Sequence, residues 1–91
     1  MYYTLTYEPV VENYAEQRKP YRAAHLDLAK QWHAEGKLLM AGAFNPAVGT
    51  LLVFRVESAS EVEQFVKADP YVKNGLIKGW EIREWTVVIG G

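Results

Sequence analysis

The chain contains no cysteine among its 91 residues. The absence of thiols excludes a disulfide framework and thiolate chemistry. A cysteine-free sequence also suits a reducing compartment, where disulfides rarely persist. Any chemistry in this chain must therefore come from other side chains.

Long apolar runs and a one-sided charge are also missing. No apolar stretch approaches the roughly 20 residues of a membrane span, and residues 1–6 lack the basic lead and apolar core of a signal peptide. The 10 basic and 11 acidic residues are interspersed, for a net charge of −1, and no run of Lys or Arg marks a nucleic-acid surface. We expect a soluble, cytoplasmic protein whose partners include neither a membrane nor a nucleic acid.

Apolar and aromatic residues are abundant for so short a chain. Ninety-one residues make one small domain, residues 1–91, with a thin core. Yet 49% of the residues are hydrophobic, with 3 Trp, 6 Tyr and 3 Phe. We therefore expect part of the apolar surface to pack against a second copy of the chain.

The hydrophobic pattern predicts four strands and two main helices, in the order strand, helix, strand, strand, helix, strand. Predicted strands cover residues 2–7, 37–44, 50–56 and 80–89, and predicted helices cover about 20–35 and 59–68. Ser58 and Glu61 fit a reciprocal cap for the second helix, and Asp69 fits the cap of a short turn of helix that follows it. This order is the split βαβ arrangement of a ferredoxin-like α+β fold, βαββαβ.

Apolar residues lie on both faces of the predicted strands. In residues 50–56, Leu52, Phe54 and Val56 point one way, and Leu51 and Val53 point the other way. The two helices suffice to cover only one face of an antiparallel sheet. We therefore predict a homodimer in which two sheets pack face to face.

The first helix carries a histidine on its apolar side. With about 100° between successive residues, His25 falls in a stripe with Tyr21, Leu28, Ala29 and Trp32. One interpretation places His25 in a pocket between helix and sheet, with Arg22 three residues earlier guiding an anionic group. The other interpretation is a buried histidine that hydrogen-bonds a backbone carbonyl.

The segment Asp69-Pro70-Tyr71 also allows two interpretations. Asp before Pro at a helix start is good capping chemistry and needs no other role. If the Asp69 carboxylate instead faces the cavity of His25, the two groups form a pair suited to proton transfer near neutral pH. Tyr71 and the other tyrosines could supply walls for a small organic ligand.

Metal and cofactor motifs are not found in the sequence. The two histidines have no spacing suited to metal coordination, and there is no glycine-rich phosphate loop or serine elbow. We expect neither a metal nor a cofactor.

Five segments in this order resemble the YciI-like (YCII-related) family. They are RAAHL at 22–26, EGKLLMAG at 35–42, GTLLVF at 49–54, DPY at 69–71 and EIREW at 81–85. The resemblance implies a dimeric α/β-barrel, ferredoxin-like in each subunit, with a pocket in which His25 and Asp69 lie close together. Some relatives carry out dehydrochlorination or lactone-type steps in aromatic degradation, and others have no known activity.

These observations leave more than one function open. In the first hypothesis the chain is a small cofactor-free enzyme with His25 and Asp69 as catalytic residues and Arg22 and Tyr71 as substrate-binding residues. Elimination, isomerisation and lactone hydrolysis of a small organic substrate, which could carry a carboxylate, all fit this pair. In the alternative, a non-catalytic binding or accessory module uses the same pocket for a small-molecule ligand. A cofactor-free or haem-binding dimeric-barrel monooxygenase is a third hypothesis, but no histidine on a separate element suits a haem.

Overall fold

The computed structural model describes residues 1–10, 12–46 and 48–91. Four antiparallel strands form one sheet, and the helices lie on one of its faces. The elements in chain order are β1 Tyr2–Pro9, α1 Tyr14–Gln17, α2 Lys19–Ala34, β2 Leu38–Ala43, β3 Thr50–Arg55, α3 Ala59–Ala68, α4 Pro70–Lys73 and β4 Ile77–Trp85.

The sheet has the strand order β2-β3-β1-β4. Both β1 and β3 are central, and Leu5 of β1 pairs with Leu52 on one side and with Ile82 of β4 on the other. Crossovers through α2 and through α3 with α4 put the helices on the same face. This small α+β architecture is ferredoxin-like, as the order of elements predicts.

The core lies between the helices and one face of the sheet. Alternate residues of β1, Tyr3, Leu5 and Tyr7, are buried on this face. At its centre, Phe54 and Phe65 meet edge to face with ring centroids 5.2 Å apart, an arrangement that aromatic rings prefer. The predicted stripe of α2 packs against this core through its half-buried side chains, which are Tyr21, Leu28, Ala29 and Trp32.

The bounds of the last strand differ from the prediction. Residues 80–89 fit the apolar pattern, but β4 runs from Ile77 to Trp85. Its end is set by pairing, because Trp85 lies opposite Tyr2, the first residue of β1. Beyond Trp85 no β1 residue remains to accept or donate ladder hydrogen bonds, and an apolar pattern alone cannot extend a strand.

The predicted cap of the second main helix is also different in detail. The Ser58 side chain makes no capping hydrogen bond, and its hydroxyl oxygen lies 2.7 Å from that of Ser60. Glu61 reaches back as predicted, but its carboxylate accepts from the N–H of Glu57 at 2.8 Å. Asp69 does cap α4, because its carboxylate accepts from the N–H of Tyr71 at 3.0 Å.

No helix among the described residues covers the second face of the sheet. Side chains that alternate with the core residues point to it, among them Met40, paired with Val53, and Trp85, paired with Tyr2. Met40 is 67% exposed and Trp85 is 48% exposed. No helix within the described residues is long and apolar enough to cross a membrane.

Candidate active site

Asp69 stands at the junction of α3 and α4 and is fully buried. It is the one charged residue buried in the described part of the chain. The following proline disfavours helical backbone at Asp69, which adopts an extended conformation (φ −71°, ψ 120°). The junction therefore breaks the helix and points the carboxylate into the protein.

Three hydrogen bonds hold the Asp69 carboxylate. The Tyr7 hydroxyl donates to Oδ2 at 2.8 Å, the Tyr71 N–H donates to Oδ1 at 3.0 Å, and His25 Nδ1 lies 2.8 Å from Oδ1. Burial of a carboxylate is costly unless its oxygens are satisfied. Here β1, α2 and α4 each supply one partner, so the carboxylate ties the three elements together.

The His25 side chain is 12% exposed and is fixed from two directions. Its Nδ1 faces a carboxylate that already accepts from Tyr7 and Tyr71, so the network assigns the Nδ1 proton to the hydrogen bond with Asp69. Its ring also stacks on the Tyr71 ring, with centroids 3.9 Å apart and planes inclined by 6°. With Nδ1 engaged, Nε2 of a neutral His25 is the nitrogen with a free lone pair.

A cavity of about 280 Å³ opens beside His25. Its sheet side is built from residues 41–43 of β2 and from Thr50, and small side chains in β2 leave the space open. Its helical side is lined mainly by polar and aromatic residues, which are Tyr14, Arg18, Arg22, His25 and Tyr71.

Burial raises the pKa values of the tyrosines in this site. Burial raises the pKa of Tyr71, although the positive charges of Arg18 and Arg22 act in the opposite sense. Burial likewise raises the pKa of Tyr14, and burial followed by the Asp69 charge raises that of Tyr7. These phenols therefore stay protonated at neutral pH and serve as hydrogen-bond donors.

One of these donors is unused. The Tyr71 hydroxyl is buried and has no hydrogen-bond partner among the described residues. Leaving such a group unpaired costs free energy, which a bound acceptor would recover. The Tyr71 hydroxyl therefore suits an oxygen atom of a ligand.

The structure brings the four residues singled out in the sequence to one place. His25 contacts Asp69 and Tyr71 directly, and Arg22 lines the same cavity. The other histidine, His33, lies two turns further along α2, where its Nδ1 is 2.8 Å from the carbonyl oxygen of Leu38.

The sequence reasoning missed Arg18 as a member of the site, and it included Tyr7 and Tyr14 only among the tyrosines that could form the walls of a ligand pocket. Tyr7 alternates with Leu5 along a strand, which is the pattern of an ordinary core residue. Arg18 stands four residues before Arg22, a spacing that places both on one helical face, but the predicted helix starts only at residue 20. A helix start one residue earlier, with Arg18 as its cap, would have revealed the pair.

No group of three or more His, Cys, Asp or Glu side chains in the described ranges is arranged to hold a metal ion. The polar groups around the cavity are instead hydrogen-bond donors and cations. They suit an organic ligand with oxygen acceptors.

The sequence is similar to a known protein family and to a bacterial protein. The family model of the YCII-related domain matches residues 1–86. An uncharacterised protein of Haemophilus influenzae (strain ATCC 51907 / DSM 11121 / KW20 / Rd) is 31% identical over 87 residues, with 84% of this chain and 87% of that protein covered.

Among solved structures, the fold is similar to that of 5-chloro-2-hydroxyhydroquinone dehydrochlorinase (TftG) from Burkholderia phenoliruptrix AC1100 in complex with 2,5-dihydroxybenzoquinone. The TM-score is 0.81 at 24% identity, with 94% of each chain covered. An uncharacterised NIPSNAP domain protein from Burkholderia xenovorans is more distant, with a TM-score of 0.56, 13% identity and coverage of 99% of this chain and 98% of that one.

Proposed function

This chain belongs to the YCII-related domain family, and we propose that it is a cofactor-free enzyme in which His25 and Asp69 move protons during elimination from a small organic ring compound. The likeness in fold to a dehydrochlorinase supports this class of reaction. A protein of this kind would act in the cytoplasm, the location that we expect from the sequence.

The observation that carries the proposal is the hydrogen-bonded series Tyr7–Asp69–His25 at the wall of a cavity. A buried carboxylate is a costly way to fill a small core, since apolar side chains of similar volume stabilise a fold as well or better. A carboxylate that orients a histidine at the wall of a cavity is the usual arrangement around a general base.

The proposed step follows from that geometry. His25 Nε2 takes a proton from a ring hydroxyl and returns it to the ring carbon that bears the leaving group, so that this carbon becomes tetrahedral and the hydroxyl becomes a carbonyl. A second ring hydroxyl then loses its proton to His25 Nε2, and its electrons form a second carbonyl and shift a ring double bond towards the tetrahedral carbon. The bond to the leaving group breaks, and the leaving group departs with its electron pair. With chloride as the leaving group, the ring loses HCl overall. Asp69 keeps the imidazole in the productive tautomer and stabilises its charged form.

Arg22 and Tyr71 have the complementary role of binding the substrate. The Arg22 guanidinium attracts an anionic oxygen of the substrate. The free Tyr71 hydroxyl donates a hydrogen bond to an oxygen of the same ligand. Both act before the proton moves, by holding the ring against His25.

We also propose that the functional unit is a homodimer built on the open face of the sheet. Met40 and Trp85 lie exposed on this face. Two copies packed sheet to sheet would bury these side chains and form a dimeric α/β-barrel.

The test of the catalytic proposal is chloride release from 5-chloro-2-hydroxyhydroquinone by the wild-type protein and by His25→Gln. Glutamine retains hydrogen-bonding capacity but cannot act as a base near neutral pH. We expect kcat to fall by about 10²–10⁴-fold, the range that general acid–base catalysis contributes.

His33→Gln is the matched control, because it changes the only other histidine of the chain on the same helix. It should retain wild-type kcat. Equal rates for His25→Gln and the wild type would contradict the proposal. Binding of the compound without chloride release would favour the non-catalytic module.

A further inference from the structure

We propose that the cavity beside His25 selects a single-ring dianion, and that Arg18 recognises the second of its two anionic groups. This inference rests on the proposed function only for the location of the substrate site. It adds a specificity residue and a substrate class to that site.

Arg18 is placed for this role at the start of α2. It occupies the N-cap position of the helix, its side chain is half-buried, and its guanidinium lies 5.5 Å from the centre of the Tyr14 ring. The cation–π contact restricts the guanidinium at the cavity wall. Arg22 follows one helical turn later and lines the same cavity, so two cations share one opening.

No acidic side chain of the described residues pairs with these two guanidinium groups. The cavity lining contains no Asp or Glu within the described ranges, and neither arginine forms a salt bridge with any described residue. Asp69 is close, but three hydrogen bonds already occupy its oxygens. Two like charges one turn apart repel each other, and an anion with two charged groups would relieve that repulsion.

The buried Tyr71 hydroxyl independently indicates a ligand oxygen. Its proton has no acceptor among the described residues, and the nearby guanidinium of Arg22 can only donate a hydrogen bond to the Tyr71 oxygen, so that proton stays free. The hydroxyl and the two guanidinium groups therefore lie around the same part of the cavity. An ionised oxygen placed there would accept charge-assisted hydrogen bonds.

The size and shape of the cavity favour one aromatic ring. A cavity of about 150 Å³ can hold benzene, so about 280 Å³ holds one ring with substituents. The stacked rings of His25 and Tyr71 offer an aromatic surface, and the Tyr14 ring meets Tyr71 edge to face with centroids 6.2 Å apart. A ring that carries two ionised oxygen groups matches both the walls and the charges.

The experiment measures the binding of three unreactive probes by calorimetry at about pH 8. Phthalate carries two charges, benzoate one and benzamide none. The wild-type protein should bind phthalate at least about tenfold more tightly than benzoate, and benzamide most weakly, because each ionised group adds charge-assisted hydrogen bonds.

Arg18→Gln should weaken phthalate binding by about tenfold and change benzoate binding by less than about twofold, so that the preference for the dianion is lost. Arg18→Lys should retain part of that preference, which separates loss of charge from loss of structure. Lys30→Gln, on the exposed opposite side of the same helix, should bind all three probes like the wild type.

Three results would overturn the inference: wild-type protein that binds none of the probes, wild-type protein that binds benzamide as tightly as phthalate, or Arg18→Gln that weakens phthalate and benzoate equally. None of the probes has a leaving group, so the result does not depend on turnover. The cavity can therefore select dianions even if His25 proves not to be a base. Chloride release likewise tests His25 as a base even if the cavity shows no preference for dianions.

Discussion

At the scale of single residues, the site depends on Asp69. Its carboxylate is fully buried, and it is stable there because Tyr7, His25 and the Tyr71 N–H satisfy its oxygens. Removal of one donor leaves a buried oxygen short of a partner, and such a loss costs more than an average hydrogen bond contributes. Tyr7 is thus a positioning residue that acts on His25 through Asp69.

Tyr7→Phe tests this dependence. The substitution keeps the ring in the core but removes the hydroxyl from Asp69 Oδ2, so the free energy of unfolding should fall by about 1–3 kcal/mol. Chemical denaturation measures the change. Tyr3→Phe is the control, because Tyr3 is buried on the same face of β1 and its hydroxyl makes no hydrogen bond to a described residue. A loss as large in the control would contradict the special role of Tyr7.

Tyr7→Phe should also change how the free energy of unfolding depends on pH in alkaline solution. Burial raises the pKa of Tyr7 above its ordinary value of 10.0, so above about pH 10 unfolding releases a proton that the folded protein retains. The titration of Tyr7 therefore lowers the free energy of unfolding by about 1.4 kcal/mol for each pH unit above 10. Below pH 10 it does not change the free energy of unfolding. In Tyr7→Phe the alkaline decline should be shallower by that amount, whereas an unchanged slope would contradict the assignment.

At the scale of elements, the helix pattern predicted more of the site than the strand pattern did. The stripe of α2 that includes Trp32 does face the core, because helical periodicity fixes which side chains share a side. The Asp-Pro step predicted the break that aims Asp69 inward. Tyr7 and Arg18 could not be predicted in the same way, since their roles depend on which strand becomes central and on where α2 starts.

Strand ends were the weakest part of the sequence interpretation. Residues 87–89 are apolar and continue the pattern of β4, yet β4 ends at Trp85, where β1 offers no further partner. The length of a strand depends on the neighbouring strand that pairs with it, so the sequence of one segment does not determine where the strand ends. The order of the elements was predictable because it depends only on the type of each segment.

At the scale of the whole molecule, the exposed side chains on the open face of the sheet support the proposed dimer. A domain of 91 residues buries little more than about 60% of the surface of its unfolded chain. Covering Met40 and Trp85 with a second copy would add apolar burial that the single chain cannot supply. The proposed dimer would therefore also stabilise the fold of each copy.

Met40→Lys tests the proposed dimer. A lysine at position 40, on the edge strand β2 of the open face, would place a charge against apolar side chains of the second copy, so the variant should shift sedimentation at micromolar concentration from dimer towards monomer. Gln64→Lys, exposed on α3, adds the same charge on the helical side and should sediment like the wild type. A wild-type monomer at this concentration, or a dimer unaffected by Met40→Lys, would contradict the proposal.

In the proposed reaction, His25 Nε2 meets the reacting oxygen or carbon of a ring bound in the cavity. The most direct measurement is a crystal structure of the protein with an unreactive dihydroxybenzoquinone bound. We expect a ring oxygen about 2.6–3.2 Å from His25 Nε2, with the hydrogen bond between Nδ1 and Asp69 intact and another ring oxygen near the Tyr71 hydroxyl. A ring bound elsewhere on the domain, or one whose oxygens all lie beyond the reach of His25, would contradict the proposed reaction.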